Sequence, residues 1–464
     1  MSVENTEQNV SPKWIVTKFG GSSVSSLADW NNIKSIVSQH IASGYKVAII
    51  HSAFKNVTNQ LEAIAQLASK GQSEEPLEQL LNRHRAMAHE LDVDAGLLDP
   101  FFASLHKAVQ SAQSKKSVSA CDRAEIVAHG ELFSSVLGAA FLQRELPNRK
   151  THWLDAREIL TSIDDAPKNV SECFLNAVCY TRPDAGFSNL CAENDIVLSQ
   201  GFIAKNHNGQ TVLLGREGSD TSAAYFSTLL NADKLQIWTD VNGMYTTDPN
   251  KVKEAKLIEQ ISYNEAFDMA EAGAKVLHPR CLSAVVPYKI PVEIRNTRFP
   301  EVSGTLISGD YQASKWVKAI ALKQQIPIIT LWLGRRGQQP DTLQKVFTII
   351  NQFGLSCELM ASTKESLVIA VETDNSLHSD EVLNELSAQL AEVCRSVLVS
   401  YSAMITLIGC QASQALWHLM QIDADLPKQW LLMSHTSTDH HLSLLVSNDD
   451  AMSILELLHR NLIK

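Results

Sequence analysis

The run Trp14-Ile15-Val16-Thr17-Lys18-Phe19-Gly20-Gly21-Ser22-Ser23 decides the fold class. Trp14 to Lys18 reads as a short buried strand and Gly20 to Ser23 as a turn. Ser25 to His40 follows as a helix with Leu27, Trp30, Ile33 and Val37 on one face. Lys46 to Ile50 is a second strand, again followed by a small polar turn and a helix. Strand, helix, strand in that rhythm predicts an α/β fold with a mainly parallel sheet covered by helices.

Downstream, residues 76 to 147 read as mostly helical, and the apolar stretch Ala124 to Leu142 is interrupted by His129-Gly130-Glu131. A polar trio inside an apolar helix needs a reason. Asp195 to Ala204 and Thr211 to Leu214 flank Asn208-Gly209, a hairpin signal. The first rhythm then returns, with Gly215 to Asp220 as a loop, Thr221 to Leu230 as a helix, Lys234 to Trp238 as a strand and Asn242-Gly243 as a turn. Ile261 to Val286 is predicted helical and Pro291 to Ile294 a strand. A polar tail, 1–13, and one α/β domain, 14–308, are expected.

Beyond Lys315 short β-α-β units appear twice. Ile329-Thr330-Leu331 resembles Ile405-Thr406-Leu407, with the threonines 76 residues apart. Leu359-Met360 before Ser366–Val371 resembles Leu432-Met433 before Leu442–Val446, with the methionines 73 apart. Two small α+β units, 315–398 and 399–464, are expected. They hold no dense polar constellation, which suits binding or assembly more than catalysis.

The chain has 464 residues, 45% apolar and 20% charged, enough to bury a sizeable core. Its 40 basic and 51 acidic side chains give a net charge of −11, which disfavours sequence-independent binding to nucleic acid. Any phosphate must therefore meet locally concentrated cations. Eight cysteines without a Cys-x-x-Cys pair argue for reduced thiols rather than a zinc or redox motif, and no metal site is predicted. The polar start lacks a secretory signal, and no apolar run reaches the ~18 residues of a membrane helix, so a cytoplasmic, membrane-free protein is expected.

Four segments could carry chemistry. Lys18-Phe19-Gly20-Gly21 places a cation at a strand end beside two residues without Cβ, where backbone N–H groups can reach a phosphate. An ordinary strand-to-helix turn reads the same way. Neither Gly-x-x-x-x-Gly-Lys-Ser/Thr nor Gly-x-Gly-x-x-Gly occurs here. Gly215-Arg216-Glu217-Gly218-Ser219-Asp220 offers a guanidinium able to clamp a carboxylate or phosphate at a helix start. Trp238-Thr239-Asp240, Tyr245 and Gly273-Ala274-Lys275-Val276 are weaker alone.

Their order is more specific. KFGGSSV, Ser52 with Thr58-Asn59, AHGE, SQGF, LGREGSD, WTDVNGMYTTDP and GAKVLHP occur in the order found in aspartate kinases, which the first 300 residues resemble. The tail resembles the paired ACT domains of the monofunctional, lysine-sensitive type, without the homoserine dehydrogenase stretch of bifunctional relatives. The resemblance implies an amino-acid-kinase fold that transfers the γ-phosphoryl group of ATP to the side-chain carboxylate of L-aspartate. The product, 4-phospho-L-aspartate, feeds lysine, threonine and methionine synthesis, and Mg²⁺ arrives with ATP. By matching motif, Lys18, Arg216 and Asp220 are catalytic, while Ser52, Thr58, Glu131, Arg216 and Ser219 hold aspartate. Lys18, Gly20, Gly21, Thr239, Asp240, Tyr245, Asn250, Lys275 and Val276 face the nucleotide. Lysine as effector and a homodimer or homotetramer through the ACT-like units are also implied.

The sequence departs from that pattern in places. Glu217 stands where many relatives have glycine. The arginine after Asp-Pro is Asn250, with Lys251 beside it. The loop rich in Met, His and Ser is replaced by Gly334-Arg335-Arg336-Gly337-Gln338-Gln339-Pro340, the effector-binding aspartate is Glu358, and Lys364-Glu365 displaces an acidic residue. Weakened lysine feedback is the expectation. A catalytically weak amino-acid sensor and a kinase for another carboxylate share the fold. The joint presence of Lys18, Glu131, Arg216 and Asp220 speaks against the sensor. Glu131, a partner for a free amine, speaks against an N-acylated substrate.

Overall fold

The computed structural model describes residues 13–163, 170–274, 276–309, 316–333, 339–353, 355–371, 380–422, 430–435 and 441–463. The chain forms two compact units, one of residues 1–244, 257–263 and 275–312, the other of 245–256, 264–274 and 313–464. Two segments inside the expected catalytic stretch thus belong with the C-terminal region.

In the first unit β1 (Trp14–Phe19) leads through α1 (Leu27–Ala42) to β2 (Lys46–His51). Four helices follow: α2 (Val57–Ala68), α3 (Glu74–Glu90), α4 (Asp99–Lys115) and α5 (Ala120–Glu145). Next come β3 (Thr151–Leu154), α6 (Ala156–Ile159), α7 (Val170–Leu175), α8 (Ala185–Cys191), β4 (Ile196–Gln200), and the hairpin β5 (Ile203–Lys205) and β6 (Thr211–Leu213). α9 (Gly218–Leu229), β7 (Lys234–Thr239), β8 (Gln260–Ser262), α10 (Tyr263–Glu271), α11 (Pro279–Val285), β9 (Val292–Asn296) and β10 (Thr305–Ser308) complete the run. Most of α10 lies in the second unit.

The main sheet has the order β3-β4-β2-β1-β7-β9-β10-β8. It is parallel except where β10 meets β9. β1 is buried along its length except at Lys18, as a strand covered on both faces must be. β2 lies on one side of β1 and β7 on the other, so the order reverses at β1, where α/β sheets open a crevice at the carboxyl ends. α5 is long and apolar enough to cross a membrane, yet most of it is buried inside this unit. A Cβ on its Gly130 would come within 2.9–3.2 Å of Ala53, Val57 and Leu61, so glycine lets α5 close on α2.

Two readings of the sequence need correction. The apolar run 195–204 is not one strand, because Gly201 and Phe202, the latter at φ 68°, turn the chain out of the sheet. Residues 261–286 are not one helix: Gly273 at φ 95° follows the end of α10 and Pro279 opens α11. Both runs carry the right apolar period and are cut by local backbone chemistry.

The second unit is built on β11 (Ala319–Trp332), α12 (Gln339–Gln352), β12 (Cys357–Ser362), β13 (Ser366–Val371) and α13 (Asp380–Val393). β14 (Ser396–Ile408), α14 (Ala412–Ile422), β15 (Leu432–His435), β16 (His441–Val446) and α15 (Ala451–Leu462) repeat the pattern. One antiparallel sheet of order β12-β13-β11-β14-β16-β15 joins the halves. The two cores do not follow a single cut in the chain. The second half of β11 packs Ile329 and Leu331 against Val346, Ile369 and Leu386. Its first half contributes Ile320 to a core with Ile405, Leu416, Leu444 and Leu455, joined by Val252 from the 245–256 segment. The ladder with β14 slips between Lys323 and Ile326, where β11 passes from one core to the other.

Candidate active site

The carboxyl ends of the central strands carry the charged groups. At the end of β1 the Lys18 ammonium lies 2.5 Å from a carboxylate oxygen of Asp220 in the first turn of α9. Every residue of α9 is buried, and Glu217 before it adopts a left-handed φ of 50° that lets the chain enter the helix abruptly. The ammonium, held by Asp220, and the N–H groups of the helix N-terminus meet at one point, where an anion can take the place of the carboxylate. Arg216 is exposed on the turn just ahead, and Ser219 is buried in the first turn. A Cβ on Gly201, after β4, would strike Ser219 at 2.6 Å, so its absence allows β4 and α9 to meet.

The glycine turn lies against the same floor. A Cβ on Gly21 would come within 2.7 Å of the Ala53 carbonyl, and Gly20 donates its N–H to the Trp238 carbonyl at 3.3 Å. Ala53 in turn donates its N–H to Glu131 Oε1 at 3.2 Å. Glu131 reaches this point from the middle of α5, fully buried, and its Oε2 has no partner. Burial raises its carboxyl to about 8, against weaker opposing hydrogen bonds from the backbone of Ala53 and of Glu131 itself. The free protein therefore holds Glu131 largely as the neutral acid near neutral pH. A ligand ammonium at Oε2 would reverse that.

Ser52 and Thr58, at the end of β2 and the start of α2, are half-buried. The Ser52 carbonyl is held twice, by Ser134 Oγ at 2.8 Å and by His51 Nδ1 at 3.0 Å. A carbonyl only accepts, so Nδ1 of His51 carries the proton. Burial lowers the His51 pKa to about 3, and the ring stays neutral, stacked on Trp30. These two positioning groups went unnoticed in the sequence; the pair Ser134-Ser135 inside an apolar helix was the available signal.

At the end of β7, Thr239 Oγ1 donates to the exposed Asp240 carboxylate at 3.2 Å. The Asp240 carbonyl accepts from Asn296 Nδ2 at 3.3 Å, at the end of β9. Val276 is half-buried in the same unit, and Lys275 lies outside the described residues. The structure thus brings Lys18, Gly20, Gly21, Glu131, Ser219 and Asp220 to one region at the switch point. Tyr245, half-buried, and Asn250, exposed, belong to the other compact unit. Asn250 bonds Asp248, and Lys251 donates to Gln324 at 3.3 Å.

In that unit Glu358 forms an ion pair with Lys323 at 2.6 Å, and Lys364 and Glu365 are exposed on the turn after β12. Residues 334–338, including Arg335 and Arg336, lie outside the described residues.

A cation, two glycines and a buried helix N-terminus at the switch point of a parallel sheet define an α/β enzyme site for anionic substrates. The chain belongs to the amino acid kinase family, which residues 13–296 match. Over 464 residues it is 29% identical to lysine-sensitive aspartokinase 3 of Escherichia coli, covering 97% of this chain and 99% of that one. Solved aspartokinase III of E. coli with aspartate and ADP, in the R-state, is similar with a TM-score of 0.78 and 28% identity, over 97% of this chain and all of that one. The same enzyme with lysine and aspartate, in the T-state, gives 0.76 and 29%, over 97% and 99%.

Proposed function

We infer that this chain is an aspartate kinase, transferring the γ-phosphoryl group of ATP to the side-chain carboxylate of L-aspartate. The observation that carries this reading is the pairing of two unlike groups on one floor: Lys18 beside the glycine turn, and buried Glu131 with an unpartnered oxygen. The full-length similarity to an enzyme solved with aspartate and ADP supports it.

A carboxylate oxygen of aspartate attacks the γ-phosphorus, the bond to the bridging oxygen breaks, and ADP leaves with the electron pair. The attacking group is already ionised, so no general base is needed. The chain's work is positioning and charge neutralisation. Lys18 neutralises the transferring group, and Asp220 orients Lys18. Glu131 accepts from the substrate ammonium, Arg216 clamps a carboxylate, and Ser52, Thr58 and Ser219 complete the aspartate contacts. Gly20, Gly21, Thr239, Asp240, Tyr245, Asn250, Lys275 and Val276 serve the nucleotide, which enters as its Mg²⁺ complex.

The ACT-like C-terminal units serve regulation and assembly into a homodimer or homotetramer, and lysine is the effector favoured, supported by the relative solved with lysine. The domain limits 14–308, 315–398 and 399–464 belong to the same reading. A cytoplasmic site of action is supported by cysteines that form no disulfide among the described residues. ADP release measured with a panel of amino acids tests the function. Turnover with aspartate and MgATP alone is expected; turnover independent of aspartate, or with N-acylated acids, would overturn it.

A further inference from the structure

The carboxyl end of β9 sends two neighbouring side chains to the two turns of the site. Asn296 closes the strand and Thr297 follows it, and both are buried. Thr297 Oγ1 donates to Ser23 Oγ at 2.8 Å, in the turn that follows Gly20 and includes Gly21. A Cβ on Gly20 would lie 3.6 Å from Lys18 Nζ, so this turn borders the ammonium. On its other side the turn is held by Ser25 Oγ, which donates to the Gly21 carbonyl at 2.6 Å. The Thr297 N–H donates to the Thr239 carbonyl at 2.9 Å, at the end of β7. Asn296 Nδ2 donates to Asn242 Oδ1 at 2.8 Å as well as to the Asp240 carbonyl, and its Oδ1 accepts the Arg298 N–H at 2.9 Å. With the amide oxygen taken by an N–H, both amide hydrogens serve the turn after β7. One dipeptide thus holds the glycine turn and the Asp240–Asn242 turn together, and all of these residues lie in the first compact unit.

We propose that Asn296 and Thr297 are positioning residues for phosphoryl transfer, Thr297 fixing the glycine turn beside Lys18 and Asn296 fixing the nucleotide turn. The inference rests on the reading that Lys18, Gly20 and Gly21 hold the transferring group and Thr239 and Asp240 the nucleotide. Neither Asn296 nor Thr297 touches substrate in this scheme. Glycines let a backbone approach an anion closely but leave it conformationally free, and the buried Thr297–Ser23 hydrogen bond supplies the order they lack. A hydroxyl lost from Thr297 loosens the turn that meets the phosphoryl group, which shows in kcat. An amide lost from Asn296 loosens the turn that meets the nucleotide, which shows in the KM for ATP.

Steady-state kinetics of the full chain test it. Thr297→Val, which keeps the shape and the backbone N–H, is expected to lower kcat roughly tenfold, with both KM values within about twofold. Ser23→Ala should do the same, and the double variant should match the singles, because both break one hydrogen bond. Thr297→Ser, which keeps the hydroxyl, should restore most of the loss. Asn296→Leu is expected to raise the KM for ATP roughly tenfold, with kcat and the KM for aspartate within about twofold. Unchanged kcat in Thr297→Val, additive losses in the double variant, the same kinetic pattern in the Asn296 and Thr297 variants, or a lowered Tm with normal kinetics would overturn the proposal. Should Thr297→Val or Asn296→Leu fail to fold, Ser23→Ala and Asn242→Ala decide by the same criteria. Wild-type protein without aspartate-dependent ADP release would overturn the kinase reading itself, whereas active wild type with unmoved variants overturns only the roles of Asn296 and Thr297.

Discussion

The two units each hold a lysine–carboxylate pair of nearly equal length, Lys18–Asp220 at 2.5 Å and Lys323–Glu358 at 2.6 Å. Their side chains are 13% and 5% exposed in the first pair and 22% and 12% in the second, so burial alone does not separate them. Their settings do. Lys18–Asp220 lies at the carboxyl edge of a parallel sheet, where a glycine turn and the start of a buried helix present N–H groups to an incoming anion. Lys323–Glu358 lies in the middle of an antiparallel strand, among side chains already bonded to one another. The first pair is arranged to be interrupted by a ligand, and the second to hold segments together. The same pair of residue types therefore suits transfer chemistry in one frame and a structural tie between strands in the other.

The sharpest break of that comparison is kinetic. Lys18→Ala should lower kcat by about 10²–10³-fold, since a cation on a transferring phosphoryl group acts mainly in the transition state. Lys323→Met should leave kcat alone. Equal kcat losses in the two variants would erase the distinction drawn from their settings, and a retained kcat in Lys18→Ala would leave Lys18 as an ordinary turn lysine.

Glu131 gives the next largest effect. With its carboxyl raised to about 8 by burial, it must release a proton before it can receive the substrate ammonium. The KM for aspartate should therefore fall as pH rises from about 6.5 to about 8.5, and Glu131→Gln should flatten that dependence and raise the KM by roughly 10–100-fold. Stability runs the other way. A carboxyl whose folded pKa exceeds its unfolded value of 4.5 contributes stability that is full below 4.5 and lost as pH climbs through about 8. Added aspartate should offset that loss, so its shift of Tm should grow with pH. A shift independent of pH would remove the ammonium from Glu131.

The part of this legible in sequence is the part set by local chemistry. KFGG announces strand, cation and close approach within a few residues, and β1, β2, α9 and β7 follow from apolar period. The breaks at Phe202 and Gly273 were hidden because the apolar pattern runs through them while the backbone does not. The crossing of β11 between two cores was hidden for another reason: residues 317–322 belong in space with 403–463, and no local signal marks that exchange. Lys323 reads in sequence as one polar residue of a strand, because Glu358, which gives it meaning, is distant in the chain.

Asn250 sharpens the comparison from the nucleotide side. It is exposed and bonded to Asp248, and Lys251, the neighbouring cation, is engaged with Gln324 on the β11 irregularity. Lys251 is thus spent on the junction rather than free for phosphate. Asn250→Arg should lower the KM for ATP by about 3–10-fold and leave that for aspartate unchanged, the scale of one charge-assisted hydrogen bond at an exposed site. Unchanged ATP affinity would mean that another group already makes the contact.

The smallest expected effect is on lysine feedback, and it follows from the second pair. A free lysine that uses the Glu358 carboxylate must compete with Lys323, an ammonium tethered to the same strand system and therefore present at high effective concentration. Exposed Lys364 adds like charge nearby in sequence, though salt screens it within ~8 Å. Inhibition by lysine should accordingly be weak. In Lys323→Met the competitor is gone, so lysine should bind about 2–5-fold tighter by calorimetry; an effector shifts an equilibrium only through differential affinity for its two states. Activity titrated with lysine, threonine and methionine in both proteins, with calorimetry alongside, decides it. Strong inhibition of the wild type at low micromolar lysine would show that the Lys323–Glu358 pair does not guard this carboxylate.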